Sequence, residues 1–120
     1  MATIEPANIS IQGGGGAISD TNQSNAPAAN TAAFVFAAGV TNRKLTISGI
    51  GFSYNNTPTN GSITITTGAR TIDTQYVTAG GIGFIPFTYK GDTNANLNVV
   101  LSAGGSGIAG SLHIDRIWAD

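Results

Sequence analysis

From residue 32 onward, apolar and polar residues alternate in short runs that glycine, asparagine and proline interrupt. Ser62–Thr67 shows the pattern plainly, with Ile63 and Ile65 set against Thr64 and Thr66. A side-chain period of two belongs to a β-strand with one buried face, not to a helix, whose apolar positions recur every three to four residues. The same period places Phe34 and Phe36 against Val35 within Ala32–Ala38. It puts Leu97, Val99 and Leu101 on one face of Asn96–Ser102. In Ser111–Trp118 it turns Leu112, Ile114 and Trp118 inward and His113, Asp115 and Ile117 outward. Composition agrees, because Ile, Val and Thr supply 34 residues, and β-branched side chains pack well on a pleated surface.

Arg43–Tyr54 changes phase: Leu45 and Ile47 share one parity, and Ile50, Phe52 and Tyr54 share the other. One extra residue flips a strand's face, so a bulge is expected near Ser48–Gly51. Asn55–Gly61 is a turn by its Asn, Pro and Gly content. Thr71–Val77 is a weaker strand with Ile72 and Tyr76 on one parity, and Asp73 outward. Phe84–Tyr89 carries Ile85, Phe87 and Tyr89 on one face. Pro86 cannot donate a ladder hydrogen bond, which assigns that strand to an edge or a bulge. Seven strands follow from Ala32 on, with an eighth over Asn8–Gln12. Strands spaced this closely, with turns between them, predict an all-β chain: a single jelly-roll-like β-sandwich over residues 32–120. Phe34, Phe36, Phe52, Phe84 and Phe87 read as core.

Residues 1–31 are small, polar and glycine-rich, with four consecutive glycines at 13–16. Such composition cannot bury enough apolar surface to fold alone. The segment is expected to be an extended N-terminal arm. If ordered, it is held by another chain through Ile4, Ile9, Ile11 and Ile18, with Trp118 as a core plug or a further interface anchor.

Chemistry is sparsely written. Five Lys and Arg against six Asp and Glu give a net charge of −1, which is no footprint for nucleic acid or anionic lipid. Without cysteine there is no disulfide, thiolate metal site or thiol nucleophile. No apolar run reaches the roughly 18 residues of a membrane span. The opening residues lack a leader's tripartite pattern, so synthesis in a reducing host cytoplasm is expected. Gly105–Gly110 matches a dinucleotide fingerprint in letters, but strand alternation follows it where that motif needs a helix. Asp92–Asn96 resembles half a calcium loop but has Leu97 and Ala103 where glycine and glutamate are required. His113 and Asp115 share a face, yet none of the nine serines sits in a recognisable nucleophile elbow. No catalytic residue, metal or cofactor is assigned, and the chain is read as a non-enzyme.

A chain with 9% charged residues presents mainly Thr, Ser, Asn, Ala and Gly outside. These short side chains lose little entropy on burial, which suits packing against other polypeptides. The stretches TISGIGFSY, NNTPTNGSITI, GFIPF and LNVVLSAGGSGIAGSL resemble small all-β proteins encoded in tailed-phage genomes. That resemblance implies a virion protein of the capsid decoration or cement type. It would be a homo-oligomer, expected to be a trimer, that binds the major capsid protein at the capsid surface. The alternative reading is a carbohydrate-binding or adhesion domain of a phage fibre, spike or tail, with Tyr54, Tyr89 and Trp118 beside Asn55, Asn56 and Asp92 as its candidate residues.

Overall fold

A computed structural model describes residues 16–19, 22–26 and 31–119, with only backbone described for the first two segments. Nine strands occur in chain order: β1 (Gly16–Ser19), β2 (Asn22–Ala26), β3 (Ala33–Ala37), β4 (Lys44–Tyr54), β5 (Gly61–Thr67), β6 (Arg70–Val77), β7 (Gly81–Thr93), β8 (Leu97–Leu101) and β9 (Gly110–Ala119). The described residues include no helix.

The strands form two antiparallel sheets that enclose one core, the jelly-roll-like sandwich that the alternation predicts. The larger sheet runs β1-β9-β4-β7, with β2 also pairing β9. The smaller runs β3-β8-β5-β6. The core is aliphatic: Leu45, Ile47, Ile50, Ile63, Ile65, Leu97, Val99, Leu101, Leu112, Ile114 and Ile117 are buried, joined by Tyr54. Tyr54 buries its polar end by donating from its hydroxyl to the Ser102 carbonyl at 2.6 Å, as a buried phenol must.

The phase change in β4 is where the sequence places it. Gly49 has a φ of 66°, and the β4–β7 register shifts between Ser48 and Ile50. Pro86 sits in that shift, on a strand at the sheet edge, where its missing donor is tolerated. The Gly105–Gly110 stretch is a turn with positive φ at Gly105 and Gly107, and it leads into a strand.

Four expectations are corrected. First, Phe34, Phe36, Phe84 and Phe87 face solvent, and only Phe52 of the five phenylalanines packs against the core. In β3 the smaller Ala33, Val35 and Ala37 take the inward positions; alternation defines two faces but does not say which is inside. Second, β9 changes face after Ile114. Asp115 and Arg116 are both exposed, Ile117 is buried, and Trp118 is half-buried on the outer side. Third, Asp73 lies opposite Ile65, on the core-facing side, where it accepts a hydrogen bond from the Tyr89 hydroxyl at 2.9 Å. Fourth, Phe87 stands out of line with Ile85 and Tyr89 because it lies in the β7 bulge.

Part of the first 31 residues is sheet. β1 and β2 both run antiparallel to β9, so together they form an interrupted strand along its outer edge. Ladder hydrogen bonds are backbone bonds, so a polar segment can fill an edge without an apolar pattern. Ile18 falls within β1. Ile4, Ile9 and Ile11, and the strand expected over 8–12, lie outside the described residues.

Candidate functional site

The outer face of the larger sheet is built by three strands distant in sequence. Register sets Phe84 of β7 beside Gly51 of β4, and Gly51 beside His113 of β9. The next row sets Ile82, Ser53 and Ser111 side by side. Gly51 carries no side chain, and the His113 imidazole lies over it, in the space a Cβ would take. The result is a shallow cleft of about 180 Å³ lined by Gly51, Phe52, Ser53, Ile82, Gly83, Phe84, Ser111 and His113. Its walls are apolar on the β7 side, where Ile82 is 94% and Phe84 54% exposed. On the β9 side stand Ser111 and the His113 imidazole, with Ser53 on β4 between the two sides.

Below the cleft, the paired change of face in β4 and β9 brings Asp115 over Gly49. His113 Nε2 approaches Asp115 Oδ1 at 3.4 Å, and the Arg116 guanidinium lies 5.4 Å from the centre of the Trp118 ring. The outer face thus carries an aromatic and aliphatic wall, hydroxyls, an imidazole and a carboxylate 3.4 Å from it, within a few residues of each other. A mostly apolar concavity with a few convergent polar groups is the general form of a small-ligand site.

This constellation is poorly suited to acyl transfer. Ser111, His113 and Asp115 alternate along one strand, but β9 is paired with β4 on one side and β2 on the other over 110–114. Its backbone N–H groups there are ladder donors and offer no oxyanion hole. Among the described residues no group of three His, Cys, Asp or Glu side chains converges to hold a metal.

The other residues singled out by sequence have structural employment. Asp92 is bound by Arg70, with Nη2 to Oδ1 at 2.7 Å and Nε to Oδ2 at 3.1 Å; the guanidinium's hydrogen bond holds the carboxyl below its usual range. Asn94 and Asn96 accept hydrogen bonds from the backbone N–H groups of Asn42 and Gly39, so the turn at 94–96 clamps the β3–β4 connection. Asn55 accepts from the Ala109 N–H and Asn56 from Thr57. Tyr54 is buried. Tyr89 is held against Asp73, and burial first, then that carboxylate, pushes its phenol up to about 12. Asp73 is lowered, chiefly by the hydrogen bond from Gln75 and then by that from Tyr89. Of the aromatic candidates for a sugar platform, only Trp118 lies on the outer face of the larger sheet. The cleft residues Phe84, Ile82, Ser53 and Ser111 were not legible as a group, because no local motif joins strands β4, β7 and β9.

The fold and the cleft define an all-β sandwich with a shallow depression on one sheet. No family model matches the sequence, and no curated protein matches it. Solved structures of similar fold include "CBM4 structure and function" (TM-score 0.47, 9% identity, 91% of this chain and 90% of that one). "Family 16 Carbohydrate Binding Module-2" aligns with a TM-score of 0.47, 8% identity and coverage of 78% and 73%. A subunit from "Bacillus endospore appendages form a novel family of disulfide-linked pili" aligns with a TM-score of 0.42, 18% identity and coverage of 92% and 96%. The likeness is one of fold.

Proposed function

We propose that this chain is a non-catalytic binding module that holds a neutral oligosaccharide on the outer face of its larger sheet. The observation that carries the reading is the cleft at Gly51, where the exposed Phe84 and Ile82 line one depression together with Ser53, Ser111 and the His113 imidazole, over three adjacent strands. A pyranose has the complementary form: an apolar C–H face that packs on a ring, and equatorial hydroxyls that exchange hydrogen bonds with neutral groups. Binding leaves those hydroxyls partly in water, which suits a shallow site. The alternative expectation from sequence, an adhesion domain, is thereby carried by a different set of residues. A glycan array tests it. Reproducible binding to one class of neutral saccharide is expected, and Phe84→Ala should weaken it at least tenfold, as loss of a binding hot spot does. An array without hits, or undiminished binding by the variant, overturns the reading.

A second reading, a structural subunit of a virion that decorates a capsid, is supported by the uncharged exterior of the smaller sheet. Co-sedimentation with phage capsids lacking the protein tests it, and failure to sediment counts against it.

A further inference from the structure

Strand β7 forms one edge of the larger sheet. β4 pairs with one side of it, and among the described residues no strand pairs with the other. An edge of this kind presents backbone N–H and C=O groups to which a further strand can pair. The opposite edge of the same sheet is taken by β1 and β2. Exposed edges are commonly guarded by charge, by proline or by a bulge. On β7 the guards are Pro86, the register shift between Ile85 and Thr88, and Lys90. All of them lie beyond Ile85. Gly81–Ile85 carries none, and its outward side chains are apolar, with Ile82 94% and Phe84 54% exposed.

A strand of matching length is written in the same chain. Fifteen residues precede β1. Among them Ile9 and Ile11 alternate with Asn8, Ser10 and Gln12, and the glycines at 13–16 join this stretch to β1. Set antiparallel, with Asn8 opposite Ile85, the stretch places Ile9 beside Phe84, Ser10 beside Gly83 and Ile11 beside Ile82. Both isoleucines then flank the two exposed apolar side chains. A slip of one residue would turn them to the other face. The chain's own β7 is out of reach. Gly16 lies opposite Ala119, which lies opposite Leu45, at the sheet end where Lys44 meets Thr93. From Thr93 back to Ile85, the nearest residue of the open stretch, is about 26 Å along β7 at roughly 3.3 Å per residue. The four steps from Gln12 to Gly16 span at most about 14 Å.

We propose that the open edge at Gly81–Ile85 takes Asn8–Gln12 of a second copy of the chain as an added antiparallel strand. Main-chain hydrogen bonds supply the attraction, and Ile9 and Ile11 fix the register. Each copy gives one strand and takes one. Exchange of this kind closes as a ring or runs on as a filament. In a ring every copy is held at two contacts, so contacts that are weak singly reinforce each other. The added strand lies on the side of β7 away from β4, whereas the cleft lies over β4, β7 and β9, so either can be occupied without the other.

The chain has no cysteine, so cross-linking between introduced thiols tests this on the full chain. An isotopically heavy Ile11→Cys chain is mixed with a light Ile82→Cys chain and treated with a short bismaleimide. A heavy–light product joined at positions 11 and 82 is expected, read by mass spectrometry of the linked peptides. Pairing Ile11→Cys with Thr74→Cys, on the smaller sheet, should give about tenfold less product. In a chain carrying both Ile11→Cys and Ile82→Cys the link should run between chains. Sedimentation velocity over a concentration series should show reversible assembly of the wild type. Ile9→Asp with Ile11→Asp, and separately Ile82→Lys, should each weaken that assembly about tenfold or more, with far-UV circular dichroism as the check on folding. A wild type that is monomeric at every concentration, equal linking to position 74, a link confined to one chain, or assembly that survives both substitutions would overturn the proposal.

Discussion

The change of face shared by β4 and β9 rests on one glycine, and replacing it separates two costs. Gly49 has a φ of 66°, and its missing Cβ leaves the space that Asp115 fills, with the Asp115 Cγ and Cβ at 2.6 and 2.7 Å from where that atom would stand. In Gly49→Ala the left-handed backbone costs about 1–2 kcal/mol. The clash involves the Asp115 Cβ as well as its mobile carboxylate, so the strands must part, which adds about 1–3 kcal/mol of overpacking. A loss of about 2–5 kcal/mol should lower the melting temperature by at least about 6 °C. Urea unfolding of Gly49→Ala, Asp115→Gly and the double variant forms a cycle that resolves the parts. In the Asp115→Gly background only the backbone cost should remain, leaving a coupling of about 1–3 kcal/mol. Zero coupling would refute the placement of Asp115 over Gly49. A neutral Gly49→Ala would refute the kink itself.

Further outcomes follow from the core and its polar fittings. Ile117→Ala should cost about 2–5 kcal/mol, as a buried aliphatic does, whereas Trp118→Ala should cost clearly less; thermal melts that rank them in reverse would restore the opposite orientation of β9. Tyr54→Phe removes the donor to the Ser102 carbonyl and should cost about 1–3 kcal/mol in urea titration, and a neutral result would show that water serves that acceptor. With pH the signs are opposite. Asp73 and Asp92 are lowered in the fold, so their contribution is full above the ordinary carboxyl range and is lost as pH falls through their folded values. Tyr89 is raised to about 12, so its contribution is full below pH 10, the ordinary phenol value, and is lost as pH climbs through 12. Tyr89→Phe should flatten the alkaline limb and also reduce the Asp73 share of the acid limb, because it removes a hydrogen bond that lowers Asp73; an unchanged alkaline limb would assign that loss elsewhere.

The sequence was informative where one residue type leaves one option. The alternation of Ser62–Thr67, the phase change at Ser48–Gly51 and the edge position of Pro86 each follow from a local rule, and each is in the structure. It was silent where two options obey the same rule. Phe34 and Val35 satisfy the period of two on either face, and only the competition for space with β8 and β9 decides that Val35 goes in. Two successive outward residues at Asp115 and Arg116 break parity without a glycine or proline beside them in β9 to announce it, because the glycine that permits it is Gly49 on the neighbouring strand. The cleft was hidden for the same reason. Its floor is an absence, Gly51, and its walls come from strands that meet only through register.

On the proposed reading, ligand sits in the Gly51 cleft. An amide-resolved NMR titration with the neutral oligosaccharide selected by the glycan array is the most direct measurement. Chemical-shift changes should cluster at residues 51–53, 82–84 and 111–113, and in Phe84→Ala they should need at least tenfold more saccharide to reach half their size. Changes gathered on β3 and β8 instead, or none at saturating saccharide, would contradict it.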